Sequence, residues 1–125
     1  MGVEKRSIRK TDNILINIEV IKKKDMIARV CVTGHGGGKK GEDIVCCAVS
    51  AITQTALAGL LYHGEKYINW NMEDGLLDIS ISGSDDLELT SAFNTILSTM
   101  ILGLKGVSKE YPKKIRLEVS KDFDV

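Results

Sequence analysis

No disulfide framework, no excess charge of either sign and no uninterrupted apolar span occurs in this chain of 125 residues. There are only three cysteines, Cys31, Cys46 and Cys47. Their number is odd and two are adjacent, so no paired scaffold can be drawn and a reducing, cytoplasmic setting is expected. Basic and acidic residues balance at 17 each, which disfavours a protein whose main work is to neutralise the phosphates of a nucleic acid. The longest mainly apolar run, residues 44–61, carries Ser50, Thr53, Gln54 and Thr55 in its middle. Those groups are costly in lipid, so the run reads as a buried helix and no membrane span is expected. The first twelve residues lack the apolar stretch of a secretory signal. Repeats and low-complexity tracts are missing as well.

What remains is an ordinary globular composition, 43% hydrophobic and 27% charged, which suits one packed domain over residues 1–125 with a polar leader at 1–13. Aliphatic residues alternate at Ile14, Ile16, Ile18 and Val20, the period of a half-buried strand. After a polar turn at 22–25, Met26, Ala28, Val30 and Val32 alternate in the same way and complete a hairpin. Strong helix formers dominate from Ile44 to about Tyr62, with Gly64 as the stop. A second hairpin follows, with Ile68, Trp70 and Met72 on one strand, Leu77, Ile79 and Ile81 on the other, and a turn at 73–75. Ser84, Asp85 and Asp86 are candidate caps for a second helix, whose apolar positions from Leu89 to Leu104 recur at helical spacing before Pro112. Ile115, Leu117 and Val119 form a fifth strand. The order β-β-α-β-β-α-β, with strands apolar on one face, predicts a two-layer α/β sandwich: a mostly antiparallel five-stranded sheet with two helices on one face. A helix as apolar as 44–61 calls for more cover than such a sheet offers, so a symmetric homodimer is expected.

Residues 34–43, with five glycines in ten positions and no apolar side chain, are expected to form a mobile surface loop. His35 lies in it, and Cys46 follows eleven residues later in what the pattern makes the first turn of the helix. Positive charge at a helix start stabilises a thiolate, and a neighbouring imidazole adds to this. Cys31, on a strand, has the structural role usual for a free cysteine. Cys47, about 100° round the helix from Cys46, must point elsewhere. His63, beyond the far end of the helix, reads as a surface residue near its C-cap.

Gly34-His35, the loop, and then Gly41-Glu42-Asp43-Ile44-Val45-Cys46-Cys47-Ala48-Val49-Ser50 resemble the signature of the ribosomal-processing cysteine proteases, in which Gly-His precedes a loop and Gly-x-Asp-Ile-Val-Cys-Ala-x-x-Ser. The resemblance implies that Cys46 is the nucleophile and His35 the catalytic histidine. It also implies a homodimeric endopeptidase, with no cofactor and no metal, that removes an N-terminal extension from large-subunit ribosomal protein L twenty-seven. In this chain the loop is about one residue shorter than is usual in the family. It holds Gly36, Gly37, Gly38, Lys39 and Lys40 where members often carry an aromatic and acidic residues. Gly34, Gly36, Gly37, Gly38 and Gly41 are candidates for substrate binding or loop gating. Asp43 reads as the helix N-cap, with orientation of a histidine as its other possible role. Ser50, one turn beyond Cys46, belongs to the family motif but also suits helix packing.

Two other readings stay open on sequence grounds. Gly36, Gly38 and Gly41 fit a dinucleotide-binding G-x-G-x-x-G pattern, or more loosely an anion-binding loop, although the flanking strands form hairpins rather than a βαβ unit. A non-enzymatic, ribosome-associated or peptide-binding module using Lys39 and Lys40 is the second. Direct nucleic-acid binding is disfavoured by electroneutrality, and a zinc site by the cysteine spacing.

Overall fold

The computed structural model describes residues 15–34 and 40–121, without the side chains of 40–43. The polar leader expected at 1–13, together with His35, Gly36, Gly37 and Gly38, lies outside the described residues. The elements run β1 (Ile16–Lys23), β2 (Met26–Gly34), α1 (Lys40–Gly64), a short 3₁₀ turn (Glu65–Tyr67), β3 (Ile68–Glu73), β4 (Leu76–Ile81), α2 (Leu87–Glu110) and β5 (Ile115–Lys121).

Both hairpins close through two-residue turns that need positive φ. Lys24 and Asp25 adopt φ of 51° and 68°, positive at both central residues, the twist that continues that of the flanking strands; in Asp74-Gly75 the glycine takes the positive φ, at 78°, without a Cβ to strain. The strands form one sheet in the order β3-β4-β2-β1-β5. All neighbours are antiparallel except β1 and β5, which run parallel. Register lines up the alternating aliphatics: Ile18 opposes Val32, which opposes Leu77, and Val20, Val30 and Ile79 make the next row. These side chains are buried together with Val45, Val49, Leu57 and Leu60 of α1 and Phe93, Leu97, Met100 and Leu104 of α2. Both helices therefore cover the same face, and the domain is a two-layer sandwich. The reverse face carries Glu19, Arg29, Thr33 and Asp78 at the positions between, and Arg29 binds Asp78 through two hydrogen bonds of 2.9 and 2.8 Å.

By length and composition both helices are apolar enough to cross a membrane, yet in this fold each lays one side on the sheet. Thr53, inside α1 and buried, satisfies its hydroxyl by donating to the Val49 carbonyl at 2.9 Å. The helices touch at small residues: Gly59 faces Ile96, and Gly103 faces Ile52. α1 stops at Gly64, where a Cβ would stand 2.6 Å from Phe93 Cζ. α2 is capped by Asp86, which accepts from the N–H groups of Glu88 and Leu89 at 3.0 and 3.1 Å. It ends at Glu110, with Tyr111 as C-cap, ahead of Pro112, which cannot continue a helix.

One expectation is corrected. Residues 34–43 do not all form a loop, because α1 begins at Lys40. Acidic residues are favoured in the first turn of a helix as well as just before it, so Glu42 and Asp43 belong inside. Asp43 is the fourth residue of α1 rather than its N-cap, Gly41 is helical, and Cys46 lies in the second turn.

Candidate active site

Where β2 ends, the chain leaves the sheet at Gly34 with φ of 97°, a conformation that glycine adopts without strain. Space demands glycine too: a Cβ would overlap the carbonyl oxygen of Leu15 and stand 3.3 Å from Ile16 Cα. The Gly34 N–H donates to the Gly75 carbonyl at 3.0 Å, tying the end of β2 to the tip of the β3–β4 hairpin.

Beside this junction lies a cavity of about 210 Å³. Its floor is Ile16, Val32 and Gly34, one wall is α1 with Cys46, Val49, Ser50, Thr53 and Gln54, and the opposite wall is the hairpin from Met72 to Leu77. Cys46 and Ser50, four residues apart, share a helix face and both open into the cavity. Cys46 is half-buried, whereas Cys47 is exposed, so the two thiols face different surroundings. Glu73 and Asp74 bring carboxylates to the cavity wall.

The helix dipole offers Cys46 less than the sequence suggested. Six residues of α1 precede it, which sets it about 9 Å along the axis, beyond the first turn where the dipole acts. The free N–H groups of the helix start are likewise displaced from the thiol. Among the described residues, side-chain donors at the cavity include the Ser50 hydroxyl and the Gln54 carboxamide, while the Thr53 hydroxyl is taken by the Val49 carbonyl.

Cys31 has a different environment. It lies on the reverse face of the sheet, between Glu19 of β1 and Asp78 of β4. Burial and the Asp78 carboxylate push its thiol up, against the opposing pull of Arg29. Such a thiol resists ionisation and makes a poor nucleophile. His63 is exposed in the last turn of α1 beside Tyr62. A larger cavity, of about 730 Å³, opens at the other end of the sheet around Lys23, Lys24, Arg29 and Ser82 and contains no cysteine. Among the described residues no three His, Cys, Asp or Glu side chains converge as a metal site.

Sequence reasoning did not find the hairpin wall. Met72, Glu73 and Asp74 are 26 or more residues from Cys46, and nothing local to them signals a cavity. The topology also removes the dinucleotide-binding reading, since β2, which enters α1, and β3, which leaves it, are not neighbours in the sheet.

The family described as cysteine protease Prp matches residues 15–116, which span both Gly34-His35 and Cys46. No curated protein matches the chain by sequence. Among solved structures, SMU.848 of Streptococcus mutans superposes with a TM-score of 0.77 at 22% identity, over 87% of this chain and 97% of its own. The essential ribosomal processing protease Prp of S. aureus, in complex with a substrate peptide, superposes with a TM-score of 0.72 at 24% identity, over 84% and 99%. The same enzyme with a covalently linked product peptide gives 0.72 at 23%, over 84% and 99%.

Proposed function

The chain belongs to the Prp family of cysteine proteases, and on that premise we propose that Cys46 is its nucleophile, His35 its general base and the N-terminal extension of ribosomal protein L twenty-seven its substrate. Membership in a protease family takes the place of the non-enzymatic binding module that the sequence left open. One observation supports the assignment of the site: Gly34, the residue that precedes His35 in the sequence, lines the same cavity as Cys46.

With little help from the helix dipole, ionisation of Cys46 falls to the imidazole. His35 takes the proton from Sγ, and the thiolate attacks the scissile carbonyl carbon. In this reading a hydrogen-bond donor stabilises the tetrahedral oxyanion, and Ser50 Oγ, one turn beyond Cys46 on the cavity wall, takes that role. Collapse expels the amine, which receives the proton from His35, and leaves a thioester on Cys46. Water, losing a proton to His35, hydrolyses the thioester and restores the thiol. No cofactor or metal enters any step.

The substrate assignment accords with the S. aureus relative, which is a ribosomal processing protease, and a cytoplasmic place of work belongs to the same proposal. A homodimer is part of the same reading. The outer groove between α1 and α2 is lined by Ile52, Thr55, Gly59, Ile96 and Gly103, and Ala51, Thr55 and Thr99 are exposed along it. A second copy related by a twofold axis would cover this apolar strip.

The test is incubation of purified protein with L twenty-seven carrying its extension, read by intact mass. Wild type should release the extension and Cys46→Ala should not. An intact substrate after exhaustive incubation with wild type would refute the assignment.

A further inference from the structure

We propose that the open edge of β3 is the docking strand for the substrate peptide, which joins the sheet as a sixth strand and lays alternate side chains on Trp70 and Met72. The proposal rests on the reading of Cys46 as the nucleophile and extends it to how the peptide is held.

Among the described residues β3 is the outermost strand and pairs only with β4. Its register runs from Ile68 opposite Ile81 to Glu73 opposite Leu76. Just before it, the Tyr67 carbonyl accepts from the N–H of Ser82, its opposed residue, at 2.8 Å. Bonded and non-bonded pairs alternate along an antiparallel ladder. Residues 69, 71 and 73 therefore turn their amides toward β4, and Trp70 and Met72 turn theirs outward, while the Ile68 N–H donates to the Glu65 carbonyl. An edge of this kind is a template for an extended peptide, with backbone bonds supplying affinity and side chains specificity.

Three features make this edge suitable for a peptide. It carries neither proline nor a basic residue from 68 to 73, the devices by which sheet edges are commonly blunted. The side chains of Trp70 and Met72, opposite Ile79 and Leu77 on the helix-covered face, are still 48% and 40% exposed. Met72 and Glu73 also line the Cys46 cavity, so edge, apolar shelf and nucleophile form one continuous surface. Six residues of strand span about 20 Å, room for a peptide segment of similar length. The occupant that fits is an extended peptide with apolar residues at alternate positions.

Trp70 is the only tryptophan in the chain, so its fluorescence reports on the edge directly. The probe is a peptide spanning the extension junction of L twenty-seven, added to the full-length Cys46→Ala protein. If wild type does not cut that peptide, one selected from a random pool for Cys46-dependent cleavage replaces it. Binding should shift Trp70 emission to shorter wavelength. Single backbone N-methyl groups along the peptide should weaken binding roughly three- to tenfold at every second position and little in between. In otherwise wild-type enzyme, Trp70→Ala with Met72→Ala should raise KM about tenfold and leave kcat within about twofold. Sensitivity to N-methylation without a period of two, or unchanged Trp70 emission at saturating peptide, would overturn the proposal. A selected peptide that shows the alternation supports the edge even where the L twenty-seven peptide is not cut, a result that would overturn the substrate assignment alone.

Discussion

Replacing Gly34 by alanine strikes the junction that joins β2 to the site. At φ of 97° an added Cβ costs about 1–2 kcal/mol through its own backbone. The Cβ would also overlap the Leu15 carbonyl oxygen and stand 3.1 Å from the carbonyl carbon. Leu15 cannot swing away freely, because the N–H groups of Leu15 and Ile16 both donate to the Lys114 carbonyl at 3.0 Å. Forcing atoms into such a packed place costs about 1–3 kcal/mol more. A loss of about 2–5 kcal/mol is a large share of the stability of a typical domain. It should lower Tm by roughly 8–20 °C in a chain of this size. If the strain is relieved locally, the bond from Gly34 to the Gly75 carbonyl opens, the two sides of the cavity separate, and kcat falls. Differential scanning calorimetry and the intact-mass cleavage assay measure both effects. An alanine variant that melts within about 2 °C of wild type and cleaves at the same rate would refute the account of this junction.

Cys46→Ala should abolish cleavage, whereas Cys31→Ala and Cys47→Ala should keep it; a dead Cys47→Ala with an active Cys46→Ala would reverse the assignment. His35→Ala should retain the circular dichroism of wild type and lose about 10²–10⁴-fold in kcat, and near-normal turnover would remove the histidine from the mechanism. Because its pKa is raised, the Cys31 thiol stays protonated at a pH where an ordinary thiol begins to ionise. Iodoacetamide should therefore label it more slowly than exposed Cys47 at about pH 8, with the gap narrowing as the pH is raised. Peptide mass mapping that finds equal rates at the lower pH would contradict the raised value. Thr55→Arg with Thr99→Arg places charge in the groove between the helices without touching the core, and should convert a dimer to a monomer by light scattering. A wild-type protein that is monomeric at about 100 μM would dismiss this interface.

Periodicity carried most of the elements. Alternation at Ile16, Ile18 and Val20, and again at Leu77, Ile79 and Ile81, marks strands because a strand side chain changes face at every residue. The spacing of Phe93, Leu97, Met100 and Leu104 marks a helix by the same kind of argument. Cys46 could be singled out from its neighbours because the motif around it is long, and the chemistry of a thiol paired with a histidine is legible without coordinates. The start of α1 was not legible: glycine and lysine at 38–41 give the same signal for a loop as for a frayed first turn, and only the backbone places the boundary at Lys40.

Which face each strand buries is thus a property of the sequence, but which strand lies beside which is not. Backbone hydrogen bonds are indifferent to side-chain identity, so nothing in residues 115–121 announces that β5 runs parallel to β1 at one edge while β3 is left open at the other. That arrangement sets the tip of the β3–β4 hairpin opposite Cys46 and Ser50 and pins it to Gly34. The cysteine and its motif were written in the chain; the cavity into which Cys46 opens exists only because two helices had to bury their apolar sides on one face of a sheet whose strand order the packing chose.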